Sequence, residues 1–198
     1  MCRTRTPTKP PAEAGCPRVS NDRDHDPRLP PGALFVIVAQ ATNNPTMPNR
    51  IIAVIGPGEC DAATADLARD MGARIARAGH TLITGGLGGV MGAASEGASA
   101  AGGLVVGLLP GEDTADANEH VAVPIATGVG QGRNAMLVNT ADAIIAIGKG
   151  YGTLSEIALA LRRRKPIIAI GSWELHEPGI TVARDAEHAA DLLARALQ

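Results

Sequence analysis

The sequence predicts an α/β fold, a mostly parallel sheet flanked by helices, and three observations lead to it. From Arg50 onward, short β-branched or apolar runs alternate with longer Ala-rich stretches at helical period, as in a sheet buried on both faces by crossover helices. Glycine-rich turns follow several of the strand candidates, always on the strand-to-helix side. The 198 residues, 45% of them hydrophobic, suffice for one substantial core.

Residues 1–49 read as a disordered tail. The stretch "MCRTRTPTKPPAEAGCPRVSNDRDHDPRLPPG" is Pro-rich and charged, so it offers too little apolar area to offset ordering entropy. The apolar "ALFVIVAQA" begins only at Ala33, behind an acid-containing segment, which argues against a secretory signal. Met47 sits just before the first clear strand and is a second candidate start of translation.

Residues 50–198 form the predicted domain. In order, the strand candidates are "IIAVIG", "HTLITG", "GLVVGLLP", "HVAVPIAT", "DAIIAIG" and "PIIAIG". The segments "CDAATADLARDMGARIARAG", "GGVMGAASEGASAAG", "GRNAMLVNTA" and "TLSEIALALRRR" read as the intervening helices, and "ARDAEHAADLLARAL" closes the chain. Leu67, Met71 and Ile75 in the first helix, and Ala189, Leu192, Leu193 and Ala196 in the last, fall at core-facing spacing. A single Rossmann-like domain follows from this order.

Composition excludes several functions. Apolar runs fall well short of the roughly 20 residues of a spanning helix, so no membrane partner is expected. Net charge is −2 and aromatics are 2%, which supplies neither the basic footprint nor the stacking rings of a nucleic-acid binder. Cys2, Cys16 and Cys60 lack metal-ligand spacing and suit a reducing cytoplasm rather than a disulfide framework. His25, His80, His120, His176 and His188 contain no i,i+4 pair, so no metal site is predicted.

What remains is chemistry at the turns. "GPGE", "GGLGGVMG", "TGVGQGRN" and "GKGYGTLSE" each lead from a strand to a helix. They therefore belong at the carboxyl edge of a parallel sheet, where open α/β folds bind ligands. Gly56, Gly58, Gly85, Gly86, Gly88, Gly89, Gly150 and Gly152 allow close backbone approach, and free amides at the following helix starts favour an anion such as phosphate. The same glycines would also permit tight helix packing, as Gly92 and Gly97 would. Thr153 suits a helix N-cap with a hydroxyl available to phosphate, and Glu156 fits either a capping box with Thr153 or a ligand contact. Arg133 opens a helix, where a cation faces the positive dipole end unless an anion compensates; Asn134 beside it could bond a base or sugar. Lys149 reads as a phosphate contact or an exposed turn residue. Glu59, Cys60 and Asp61 suit an N-cap and its dipole, Arg162–Lys165 a helix C-terminus, and Trp173 packing against the domain or a dimer partner.

On these residues the sequence resembles a known family. "GGLGGVMGAASEGA" is similar to the GGGxxGLMG segment of the Lonely Guy, lysine-decarboxylase-like proteins, and "GYGTLSE" to the second half of their PGGxGTxxE motif. The segment "GRNAM…ADAIIAIGKGYGTLSEIALAL" resembles more closely a sister branch that includes the molybdenum cofactor carrier proteins. The resemblance covers about residues 50–198 and implies a Rossmann-like homo-oligomer, dimer or higher, that binds a small phosphate-bearing ligand. In the enzyme branch it implies a phosphoribohydrolase of cytokinin nucleoside 5′-monophosphates, with the catalytic arginine and glutamate falling on Arg133 and Glu156. The sequence departs from that pattern at Gly148-Lys149-Gly150 for Pro-Gly-Gly, at Asn134 for lysine and at Ser155 for an acidic residue. The departures favour the carrier branch: a ligand-binding protein that requires no resident cofactor and takes a molybdopterin-type cofactor or a nucleotide as its cargo. Hydrolysis and non-catalytic nucleotide sensing are the alternatives.

Overall fold

Apolar side chains along the first strand alternate in direction. Ile52 and Val54 join one core cluster, Ala53 and Ile55 another, and all four are buried, so both faces of the sheet need a cover. The computed structural model describes residues 49–198. The tail expected over residues 1–49 lies outside them but for Asn49.

The sheet has seven strands, all pairing in parallel: β1 Ile51–Ile55, β2 Thr81–Thr84, β3 Val105–Leu109, β4 Val123–Ala126, β5 Ala143–Ile147, β6 Ile167–Ile170 and β7 Ile180–Val182. Their order is β4-β3-β2-β1-β5-β6-β7. Helices α1 Ala62–Arg77, α2 Gly89–Ala100 and α5 Ala186–Ala196 supply the core on one face, through Met71, Ile75, Ala94 and Leu193. Helices α3 Arg133–Thr140 and α4 Tyr151–Arg162 cover the other, through Leu137, Val138, Ile157 and Ala160. The α/β class and the six expected strands are as the sequence reading has them. The short edge strand β7 is an addition: its three residues, Ile180 to Val182, carry only one half-buried side chain, too weak a pattern to separate from a loop.

Backbone contact, rather than large side chains, joins α1 to α2. A Cβ on Gly72 would collide with the Ala94 carbonyl, and one on Gly97 with the Arg69 carbonyl, so these glycines let the helices touch. Arg69 then ties the pair from outside, 2.9 Å from Glu96.

The chain steps outward from β1 through β2 and β3 to β4, then returns to place β5 on the other side of β1. That reversal opens a crevice beyond the carboxyl ends of β1 and β5, the switch point of a doubly wound sheet.

Candidate functional site

A cleft of about 330 Å³ occupies this crevice. Four strand-to-helix turns line it: Gly56 to Gly58 after β1, Leu87 with Met91 after β2, Gln131, Arg133 and Asn134 before and within α3, and Gly150 to Thr153 after β5, with Glu156 one turn deeper in α4. The turns are tied together, since the Val90 amide donates to the Pro57 carbonyl at 3.1 Å. Asn118, which the sequence reading passed over, donates from Nδ2 to the carbonyls of Gly86 and Leu87, both at 3.0 Å, and so holds the second turn in shape.

Helix starts divide into two kinds. The side chains of Asp61 and Asp185 cap α1 and α5, each accepting a backbone N–H at 2.8 Å. By contrast α2, α3 and α4 have Gly88, Gly132 and Gly150 at their N-caps, with no capping side chain on any of them. These are the three helices whose first turns meet the cleft. The Val90 amide of α2 already donates to Pro57 and the Arg133 amide of α3 to the Gly130 carbonyl of the single turn before it, so the first-turn amides of α4 are the ones best suited to an anion.

The expectation that Thr153 caps α4 is corrected here. The helix begins at Tyr151 with Gly150 as its N-cap, so Thr153 and Glu156 both lie within it, and no capping box forms. Gly150 is extended, at φ −154° and ψ 153°, which supplies the cap geometry three residues earlier than the hydroxyl would. Thr153 is 1% exposed, and its Oγ1 has no hydrogen-bond partner.

Three more orphaned atoms face the same problem. Arg133 is 6% exposed, and its Nε and Nη1 are buried without partners. Gly85 makes room for it: a Cβ there would lie 2.6 Å from Arg133 Nη2. Asn134 is 4% exposed, and its orientation follows from Ser155. The Ser155 hydroxyl donates to the Gly152 carbonyl at 2.7 Å, leaving its lone pairs to accept from Asn134 Nδ2 at 3.2 Å. Asn134 Oδ1 is then buried with no donor. Unsatisfied buried polar atoms are rare in native proteins and call for an explanation; here four of them belong to three residues that line one cleft.

Glu156 is 6% exposed, and burial pushes its carboxyl up to about 7 although Arg133 pulls it down. Burial likewise lowers Arg133 from its usual range, opposed by the Glu156 charge. The two groups therefore sense each other through a poorly solvated space without an ion-pair contact between them.

A family model described as the SLOG cluster4 family matches residues 49–195. The chain belongs to that family. Among solved structures, this SLOG protein is similar to the molybdenum cofactor binding protein from the phototrophic bacterium Rippkaea orientalis, with 36% identity and a TM-score of 0.73 over 77% of this chain and 100% of that one. It is also similar to the molybdenum cofactor carrier protein of Chlamydomonas reinhardtii, with 34% identity and a TM-score of 0.71 over 76% of this chain and 99% of that one. An uncharacterized protein of Archaeoglobus fulgidus is 48% identical over 119 residues, 60% of this chain and 78% of its own.

Of the residues singled out in the sequence, the SLOG cleft gathers Gly56, Gly58, Arg133, Asn134, Gly150, Gly152, Thr153 and Glu156. Gly85, Gly86, Gly88 and Gly89 stand behind the lining: Gly86 and Gly89 adopt positive φ, at 74° and 60°, and shape the turn. Lys149 lies outside the lining with its Nζ 4.0 Å from Glu174. Pro57, which the sequence reading sets beside Gly56 and Gly58 as a border of the ligand, lines the cleft too, and Leu87, Met91, Gln131 and Tyr151 join it without being singled out in the sequence. Tyr151 stands between two selected glycines, and that position is the available signal. Beside the cleft, a groove of about 570 Å³ runs between α3 and α4 and shares Gln131 and Asn134 with it; it is the roomier space but contains none of the orphaned cationic atoms. Among the described residues no group of His, Cys, Asp or Glu is placed to hold a metal ion, and no helix is long and apolar enough to cross a membrane.

Proposed function

We propose that this cleft binds a small phosphate-bearing, nucleotide-like ligand and that the protein serves as a cytoplasmic, homo-oligomeric carrier of a molybdenum cofactor. The observation that supports this reading best is Arg133: a buried guanidinium with two unpaired nitrogens is costly unless an anion completes it. Uncapped amides at the start of α4 and the Thr153 hydroxyl add neutral donors to the same anion. The likeness to two molybdenum cofactor proteins makes that cofactor the first cargo to try.

Glu156 favours hydrolysis as a second reading. A carboxyl held at about 7 by burial exchanges protons at neutral pH, as a general base must. It would take a proton from water as the water oxygen bonds to the ribose C1′, while the glycosidic C–N bond breaks and its electron pair leaves with the base. Arg133 and the amides would hold the 5′-phosphate through this step.

One set of measurements tests both readings. Ribose 5-phosphate, AMP and molybdopterin should each raise the melting temperature, and Arg133→Ala should weaken binding at least roughly tenfold while leaving the circular dichroism spectrum unchanged. Unaltered affinity would take Arg133 out of the site. Under the carrier reading no free base accumulates from AMP or a cytokinin monophosphate; under the hydrolase reading base appears, and Glu156→Gln abolishes it.

A further inference from the structure

The chain has one Tyr, one Trp and one Phe, and two of these three rings meet at the lip of the cleft. Tyr151 and Trp173 have ring centroids 6.0 Å apart at an interplanar angle of 37°. Trp173 is anchored, its Nε1 donating to the Gly150 carbonyl at 3.1 Å. Tyr151 lines the cleft yet is 85% exposed, more than any other large hydrophobic side chain among the described residues.

An aromatic ring left in water forgoes the large burial that such side chains ordinarily gain. Here the ring is backed by a fixed indole and rooted in the first residue of α4, beside the uncapped amides. Its open face is therefore held next to the anion turn, within reach of whatever the anion is attached to. A bare phosphate or a sugar phosphate has no flat surface to offer that face. The orphaned acceptor Asn134 Oδ1 in the same cleft points the same way: a fully ionised phosphate cannot satisfy it, whereas an N–H or O–H group on a larger ligand can.

We infer that Tyr151, backed by Trp173, is the stacking face for a planar heteroaromatic ring, purine or pterin in type, on the phosphate-bearing ligand. This inference rests on the anion reading of the same cleft and adds a second recognition element to it.

The test compares AMP with ribose 5-phosphate, which share the sugar phosphate and differ by the ring, by calorimetric titration of the full chain. AMP should bind roughly tenfold more tightly, as base–aromatic stacking would give. Tyr151→Ala should bring AMP down to the ribose 5-phosphate level and leave ribose 5-phosphate unchanged, and Tyr151→Phe should keep the preference. In the wild type, AMP but not ribose 5-phosphate should alter the fluorescence of Trp173, the only tryptophan in the chain. Equal binding of the two ligands to the wild type, or parallel loss of both in Tyr151→Ala, would overturn the ring assignment and leave the anion reading standing. If Tyr151→Ala changes the native mass while the preference for AMP persists, the ring belongs to a contact between copies and the assignment fails. No binding of either ligand would remove the anion reading, and this inference with it.

Discussion

At the residue scale, the pairing of Arg133 with Glu156 sets opposing demands. Each is buried, each shifts toward its neutral form because of that burial, and each is partly rescued by the charge of the other. For Glu156 the sign of the effect on stability is definite. Its carboxyl titrates near 7 in the folded chain against an ordinary value of 4.5, so the folded state holds the proton more tightly than the unfolded state does. The stabilisation is complete below about pH 4.5 and is lost as pH rises through about 7. Glu156→Gln removes this dependence. Its melting temperature should match the wild type near pH 4.5 and exceed it near pH 8, by the equivalent of about 1–3 kcal/mol. Parallel melting profiles for the two proteins from pH 4.5 to 8 would show that the carboxyl is solvated after all.

At the element scale, the contrast is between helices capped by aspartate and helices that start on glycine. Asp61 and Asp185 close α1 and α5 and are not part of the cleft lining, and such caps are worth about 1 kcal/mol each. Helices α2, α3 and α4 forgo that stabilisation where their starts meet the cleft. Gly150 offers a direct check because its backbone is extended, and an added Cβ would stand 3.4 Å from Thr153 Oγ1 and 3.5 Å from Pro57 Cβ. Gly150→Asp should cap α4 and raise the melting temperature of the unliganded protein by the equivalent of about 0.5–1.5 kcal/mol. The same carboxylate occupies the amides and repels phosphate, so the thermal shift with ribose 5-phosphate should vanish. A variant that gains stability and still responds to the sugar phosphate would place the anion elsewhere.

At the scale of the whole molecule, the sheet order decides where the turns meet, and exposed apolar side chains bear on assembly. Leu104, Val123, Ile125 and Val129 are each more than 40% exposed, at or near the edge strand β4, and Met136 is exposed on α3. Sedimentation should give a mass of at least two chains for the proposed homo-oligomer; a single-chain mass at micromolar concentration would remove it. Much of this architecture was legible in the sequence, because β-branched runs and Ala-rich helices have different periods and a glycine turn punctuates most of the strand ends. The strand β7 was not legible, since an edge strand of three residues buries too little to leave a pattern. Nor was the start of α4, because an extended glycine and a threonine three residues later serve equally well as a cap on paper. The sequence by itself determined the α/β class, the turns that line the cleft and the prominence of Arg133, all of which depend on local periodicity, backbone freedom and dipole sign. Only the tertiary structure decided that Thr153, Asn134 and Arg133 are left without partners around one cleft, that Lys149 turns to Glu174 instead, and that Tyr151 stands free beside Trp173. Those outcomes depend on which side chains from distant parts of the chain exclude water from one another, and no local pattern encodes that.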